Sequence, residues 1–562
     1  MGIKYFFSWL KKSFPNHIET INISSNLKDD HKIDIDNLLI DMNGIFHYCC
    51  QKVYKYGAFK EKARLLVPIV KKTYSVQKQK DLYNMIGNYI DRLIKFVNPN
   101  KRVFLAIDGP APLSKINQQR QRRFKSAMDN DDGSFDSNCI TPGTKFLDNL
   151  SKYIDWFIRK QEYNIQVIFS SEKCAGEGEH KLVKYVRDYG IKDESFMIQG
   201  MDADLFMLSL ATHFPKFHIL RENPYKYENE YYYIDVASIR ENIVNVLLCE
   251  HSMLDDRIHI NDFILMIFLT GNDFLPHLPT IEILEGGVEN LFETYRSVSR
   301  EHGSLTTSIN TLNIKCLQSF IGTLSLSEKE YLEDKRSKSI LFPDKLLEKH
   351  TKLGDKGKFI IDFQSYRNEY YSTKMNINNE EEIKQSCIEY VEGLQWVLSY
   401  YITGVPNWKW LYKHNYGPFL SDVAKYMADY IRPSYIGKDT KPYLPFMQLL
   451  CVLPQKSKSL LASPLSDVML LKNTQKFYPD IIDIDLDGKR NLYEGIVNLP
   501  PIDYKVLEKE YNNALKNVDE RDKKRNINGR SFSYEFQENN LYDYKSYYGD
   551  IKNCRIVSNI FE

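Results

Sequence analysis

Five short apolar runs constrain this chain more than any other feature. They are Asn37–Asp41 (NLLID), Val103–Asp108 (VFLAID), Val167–Ser171 (VIFSS), Ser195–Gln199 (SFMIQ) and Phe217–Arg221 (FHILR), and helix-period stripes lie between them. After the first run, Leu82, Met85, Ile86, Tyr89, Ile90, Leu93, Ile94 and Val97 recur at three- and four-residue steps, as one face of a buried helix does. A second stripe, Phe146, Leu147, Leu150, Ile154, Phe157 and Ile158, comes after the breaker Thr141-Pro142-Gly143. Strand, helix, strand in repetition predicts an α/β fold built on a doubly wound, mostly parallel sheet. Ligands of such sheets bind outside the carboxyl ends of the strands, so the residues that end these runs are the first place to look for chemistry.

Acids stand there. Asp41 and Asp108 each close a run, and each has a glycine within three residues. Glu177 and Glu179 come after the third run in Ala175-Gly-Glu-Gly-Glu-His180, and Asp202 and Asp204 after the fourth in Met201-Asp-Ala-Asp-Leu205. Asp273 comes after an apolar helix (FILMIFL), in Thr270-Gly-Asn-Asp-Phe274. Helix capping accounts for a single acid in such places, and acidic residues favour a helix N-terminus, but capping does not explain both members of a pair. Seven carboxylates at one end of one sheet raise one another's pKa and require a cation among them. Hard oxygen donors without cysteine or clustered histidine point to Mg2+ or Mn2+. Two such ions can activate a water and stabilise the leaving oxygen of a phosphodiester. The expectation is a metal-dependent nuclease.

The formal charge is only +1, from 75 Lys and Arg against 74 Asp and Glu, so any affinity for nucleic acid must come from local clustering. Lys115, Gln119, Arg122 and Arg123 provide it, at i, i+4, i+7 and i+8 of one helix that begins seven residues after Asp108. Read blandly, this is a solvated basic face; beside the acids it suits a phosphate pocket. A closed pocket would select a terminal phosphate and make the enzyme an exonuclease. His47, six residues past Asp41, and Trp408 or Trp410 of Asn407-Trp-Lys-Trp410 are candidates to stack on bases.

At 562 residues the chain corresponds to about three or four domain-sized units, or fewer larger ones. Residues 1–300 read as the catalytic domain and 301–386 as a polar, helical insertion or linker. Residues 387–503 read as a second, largely helical block packing on the active site, and 504–562 as a charged tail, helical and then irregular. No stretch approaches about 18 apolar residues, and the first residues lack a signal-peptide pattern. Nine cysteines with no C-x-x-C pair read as reduced core thiols and not a zinc site. The expected setting is the cytoplasm or the nucleus, outside the secretory pathway.

Eight stretches carry a resemblance: GIKYFFSWLKKSFP, LLIDMNGIFH, AIDGPAPLSKINQQRQRRF, SSEKCAGEGEHKLVKYVR, GMDADLFMLSL, NDFILMIFLTGNDFLPHLP, YVEGLQWVLSYYITGVPNWKWLYKHNYGPFLSD and FMQLLCVLPQKSKSLL. In these the chain resembles the XRN family of 5′-to-3′ exoribonucleases. The resemblance implies a PIN/flap-nuclease-like catalytic domain. It implies that Asp41, Asp108, Glu177, Glu179, Asp202, Asp204 and Asp273 form a magnesium site, and that Lys115, Gln119, Arg122 and Arg123 bind the 5′-monophosphate of single-stranded RNA. His47 would stack on the first base with a Trp of the second block, Trp408 or Trp410. Implied too are processive release of nucleoside 5′-monophosphates from decapped RNA, decapping or decay factors as partners, and a monomer. Leu492-Tyr493 stands where the family has a Trp, and Asp129–Asp136 looks like a trimmed family insertion. The competing expectations are a flap-type or single-stranded DNA nuclease and a catalytically silent RNA-binding decay scaffold.

Overall fold

The structure is a computed structural model that describes residues 2–23, 26–59, 76–129, 135–223, 230–248, 255–338, 342–354, 357–433, 440–489 and 491–561. Most of the trimmed insertion therefore lies outside the described residues.

Seven strands from the first part of the chain share one sheet: β1 (Ile18–Asn22), β2 (Asn37–Asp41), β3 (Arg102–Ala106), β4 (Gln166–Ser170), β5 (Phe196–Gln199), β6 (Phe217–Glu222) and β7 (Glu230–Asp235). Their order is β1-β7-β6-β5-β2-β3-β4, and the sheet continues from β4 into Phe532–Phe536 and Ile556–Ile560. The central strands β6-β5-β2-β3-β4 are parallel. Both margins are antiparallel. Winding proceeds from β2 to β3 and β4 on one side, while β5 and β6 are added on the other. The strand order thus reverses between β2 and β5, which opens a crevice at their carboxyl ends.

Side chains alternate across the sheet with the strand period of two. Leu38, Ile40, Val103, Leu105 and Val167 enter one core together with Ile86 and Ile90 of the helix Val76–Val97 and Ile154 and Ile158 of Lys145–Gln161. Leu39, Phe104, Ala106 and Ile168 enter the opposite core, with Leu182 and Leu208. Burial on both faces is why these runs are apolar throughout. Thr144 starts the second predicted helix by accepting from the Leu147 N–H at 3.2 Å, directly after the predicted breaker.

Residues 301–386 are not a linker: the helices Ile314–Ser325, Glu328–Lys338 and Phe363–Lys374 bury Phe320, Ile321, Leu332, Tyr366 and Tyr371 in the same core as Leu39. Their polar composition reflects one-sided burial and internal pairing, as where Arg367 is held by Asp422 at 2.7 Å and Glu380 at 2.8 Å. The tail is helical over Tyr504–Leu515 as expected, but its later part is not irregular. Phe532–Phe536 pairs with β4, and Tyr534 is buried there with its hydroxyl 2.6 Å from Asp155 and the Arg159 guanidinium over its ring. Charged partners on a marginal strand hide the apolar signal that a central strand shows.

The 387–503 block supplies a third core, in which Phe446, Leu449, Leu450, Leu465 and Met469 receive Leu113, Ile116 and Phe124 from the helix Leu113–Asp129. Eight of the nine cysteines are buried and unpaired; Cys249 lies outside the described residues. Among the described residues no helix is long and apolar enough to cross a membrane.

Candidate active site

The acids converge at the crevice between β2 and β5. Asp41 ends β2 and caps the helix Met42–Tyr54 by accepting from the Asn43 N–H at 3.2 Å. The Asn43 Oδ1 in turn accepts from the Asp108 N–H at 3.2 Å, and Asp108 Oδ1 accepts from the Gly178 N–H at 2.6 Å. A Cβ at Gly178 would stand 2.8 Å from Asp41 Oδ1, so glycine is required for this close approach. Glu177 occupies the cap position of the helix Gly178–Tyr189 and Asp204 that of Leu205–Ala211, yet neither side chain makes a capping bond. Both are aimed into the cluster instead. Glu179, Asp202 and Asp204 each offer an oxygen within 4.8 Å of the others, and Asp204 Oδ1 is buried without a hydrogen-bond partner.

Electrostatics describe the same crowding. Burial, reinforced by Asp108 and Asp202, pushes the Asp41 carboxyl far above the usual carboxylate range. Burial with Asp204 and Asp202 does the same to Glu179. Burial raises Glu177 to about 7 against the pull of Lys115, and burial with Asp202 raises Asp204 to about 6. One cation stands among them: Lys115 Nζ lies 2.5 Å from Glu177 Oε2 and 2.8 Å from Asp273 Oδ2. Burial opposes the Lys115 charge, but Asp273 and Glu177 hold the ammonium well above its ordinary range. Asp273, which burial would raise, is held low by Lys115. Arg122, Lys181 and Arg221 act on the same acids without pairing with them. A crowded carboxylate set of this kind has the chemistry to hold a divalent metal.

Lys115 thus sits with the acids, whereas the remaining basic candidates lie further along the same helix. Gln119 is buried and accepts from Gln448 at 3.4 Å. Arg122 is exposed. Arg123 is 8% exposed, with Nη1 unpartnered, and burial beside Arg122 lowers it to about 9. The first turn of this helix is clamped by the loop carrying both candidate tryptophans: Leu113 N–H donates to the Trp408 carbonyl at 2.9 Å and Ser114 Oγ to the Trp410 carbonyl at 2.8 Å. Trp410 is buried, its ring stacked on Trp396 at 4.9 Å, while Trp408 is half-buried. His47 lies on the same half-exposed helix face as Asn43 and Gly44, and burial with Arg122 and Arg123 lowers it to about 4, so it is neutral at pH 7.

Sequence reasoning missed several contributors. Tyr400 donates to Glu177 Oε1 at 2.8 Å and Tyr401 to Asp204 Oδ2 at 3.3 Å, both from the helix Glu380–Ile402. Gln118 donates to Asp273 at 3.3 Å. Lys181, buried behind Asp108, donates to the Ile107 and Ser171 carbonyls at 2.7 and 2.9 Å and so ties the ends of β3 and β4 together. Gly2 packs on Asp204, where a Cβ would stand 2.8 Å from the carboxyl carbon. A cavity of about 1350 Å³ opens beside Asp273, with Arg122, Lys125, Arg221 and Lys489 in its wall.

Fold and site together define a doubly wound α/β domain with a carboxylate cluster of metal-binding type at its switch point, completed by a helical block. The chain belongs to the XRN 5′-3′ exonuclease family: the model of the XRN 5′-3′ exonuclease N-terminus matches residues 1–223, and that of the Xrn1 helical domain matches 253–358 and 344–556. It is 28% identical to human 5′-3′ exoribonuclease 1 over 94% of this chain and 35% of the relative. It is also 28% identical to 5′-3′ exoribonuclease 1 of Schizosaccharomyces pombe, over 98% of this chain and 51% of the relative. The chain therefore spans about a third and about half of these two relatives. A solved catalytic core of Rad2 in complex with DNA aligns at a TM-score of 0.29 and 13% identity, covering 69% of this chain and 98% of that one.

Proposed function

We propose that this protein is a magnesium-dependent 5′-to-3′ exoribonuclease that removes nucleoside 5′-monophosphates one at a time from RNA bearing a 5′-monophosphate. The observation that carries the reading is a buried carboxylate cluster adjoined by a buried guanidinium, Arg123, that keeps an unpartnered nitrogen. Burial of an unpaired donor on a cation is costly, and a phosphate group satisfies it. The names of the relatives favour RNA over DNA as the substrate.

Asp41, Asp108, Glu177, Glu179, Asp202, Asp204 and Asp273 would hold the metal, in keeping with their all-oxygen donor set and the free Asp204 Oδ1. When bound, one or two such ions supply an activated water and charge stabilisation for the leaving oxygen. The other groups bind and orient. Arg122 and Arg123 grip the terminal phosphate, Gln119 lines the pocket, and at its edge Lys115 pairs with Glu177 and holds Asp273 ionised. Neutral His47 stacks on the first base, and Trp408, the more accessible of the two tryptophans, is its partner.

Arg123→Ala tests this in a paired assay with 5′-monophosphate and 5′-hydroxyl RNA. A charge-assisted hydrogen bond contributes about 1.5–3 kcal/mol, so preference for the phosphorylated end falls roughly ten- to a hundredfold. An unaltered ratio would remove Arg123 from the phosphate site.

A further inference from the structure

The helix Glu380–Ile402 belongs to the second block, but its last turn ends inside the acid cluster. Tyr400 and Tyr401 are adjacent in sequence, so on a helix their side chains diverge by about 100°. The His180 ring fills the angle between them. It stacks face to face on Tyr400, with centroids 3.8 Å apart and planes 6° apart, and meets Tyr401 edge-on at 5.4 Å and 85°. Phe274, next to Asp273, packs edge-on against Tyr400 at 5.3 Å, and Phe268 against Tyr401 at 4.8 Å. Both tyrosines are almost fully buried. Ring packing on several sides leaves each hydroxyl one direction, and in each case that direction is a carboxylate.

The two bonds differ in what they leave. At Glu177, Tyr400 takes Oε1 and Lys115 takes Oε2, so the carboxylate is fixed from both ends. At Asp204, Tyr401 takes Oδ2 while Oδ1 remains buried and unpartnered, and one oxygen of this carboxylate lies within 4.8 Å of an oxygen of Glu179 and of Asp202. Partners behind metal-binding carboxylates set ligand orientation and commonly change metal affinity or activity 10- to 100-fold when removed.

We propose that Tyr400 and Tyr401 are positioning residues for metal binding: donated by the helical block and locked by His180, they set Glu177 and Asp204 so that the free oxygen of Asp204 is presented with Glu179 and Asp202 as one divalent-metal site. The proposal rests on the reading of the acid cluster as a metal site, and it makes the second block a component of that site as well as a support for it.

The test is Mn2+ binding to the full chain, by electron paramagnetic resonance of the free ion, for the unaltered protein, Tyr400→Phe, Tyr401→Phe and Tyr478→Phe. Tyr478 is a buried tyrosine whose hydroxyl bonds the Leu450 carbonyl at 2.9 Å, remote from the acids, and it controls for loss of any buried hydroxyl. Expected are about tenfold weaker Mn2+ binding in each of Tyr400→Phe and Tyr401→Phe, and binding unchanged in Tyr478→Phe. Far-UV circular dichroism is expected to be unaltered throughout. Turnover of saturating RNA falls in the first two with KM unchanged, and added Mn2+ restores it. Undiminished Mn2+ binding by a folded Tyr400→Phe or Tyr401→Phe overturns the proposal, and because each variant tests it separately, loss of folding in one leaves the other decisive. Absence of Mn2+ binding by the unaltered protein would overturn the metal-site reading itself, and this inference with it.

Discussion

At the scale of single residues, the site is a set of carboxylates held closer than their charges allow. Asp204→Asn keeps the shape and an acceptor for Tyr401 while removing a repelled charge. The metal-free protein should therefore melt about 1–4 °C higher at pH 8, while cleavage falls at least about 100-fold. A lower melting point would show that the cluster is not strained by like charge. The pH dependence comes from Glu177 at about 7 and Asp204 at about 6. Both lie above the ordinary carboxylate value of about 4, so the unfolded chain ionises before the folded one does. Stability from these groups is fully present below about pH 4 and is lost as pH rises through about 7. A metal binds only the ionised carboxylates, so the rise in melting temperature on replacing EDTA with Mg2+ should grow steadily from pH 5 to pH 8. An increment that stays flat across that window would contradict the assignment of these two acids.

At the scale of elements, the marginal strand Phe532–Phe536 extends the sheet directly from β4, whose carboxyl end leads into Glu177 and Glu179. Truncating its buried tyrosine, Tyr534→Ala, should cost about 3–5 kcal/mol, read as a lower denaturation midpoint, and should depress cleavage through the loop after β4. A change under about 1 kcal/mol would mean the tail is a passenger. This strand also marks where sequence reading stops. The five central strands were legible because burial on both faces leaves mostly apolar residues, six of the acids because they end or come after those strands, and Asp273 because it comes after an apolar helix. β1 (IETIN) and Phe532–Phe536 (FSYEF) interleave polar and charged residues with apolar ones, and the run of β7, Tyr231–Ile234, is mostly tyrosine, so these marginal strands lack the aliphatic runs of the central ones. The core role of helices such as Phe363–Lys374 was hidden because a buried arginine with two acids reads as surface. The same limit applies in the site. Lys115 was visible as a cation near the acids, but its place between Glu177 and Asp273 is set by a loop about 150 residues away. Tyr400 and Tyr401 look like core aromatics until the helix that carries them is docked.

At the scale of the molecule, the active site is a junction. The sheet supplies six of the acids, the segment after an apolar helix supplies Asp273, and the helical block supplies the hydroxyls and the loop that clamps the basic helix. Strands from near both ends of the described chain share one sheet, so the two blocks are interlocked, and Tyr400 and Tyr401 of the helical block reach Glu177 and Asp204 at the crevice between β2 and β5. The most direct test is a time course with end-labelled single-stranded RNA carrying a 5′-monophosphate, a 5′-triphosphate or a cap, beside matched DNA, in Mg2+ and in EDTA. The account predicts Mg2+-dependent release of mononucleotides from the monophosphate RNA alone. Cleavage indifferent to the 5′ end, cleavage confined to DNA, or binding without cleavage would contradict it.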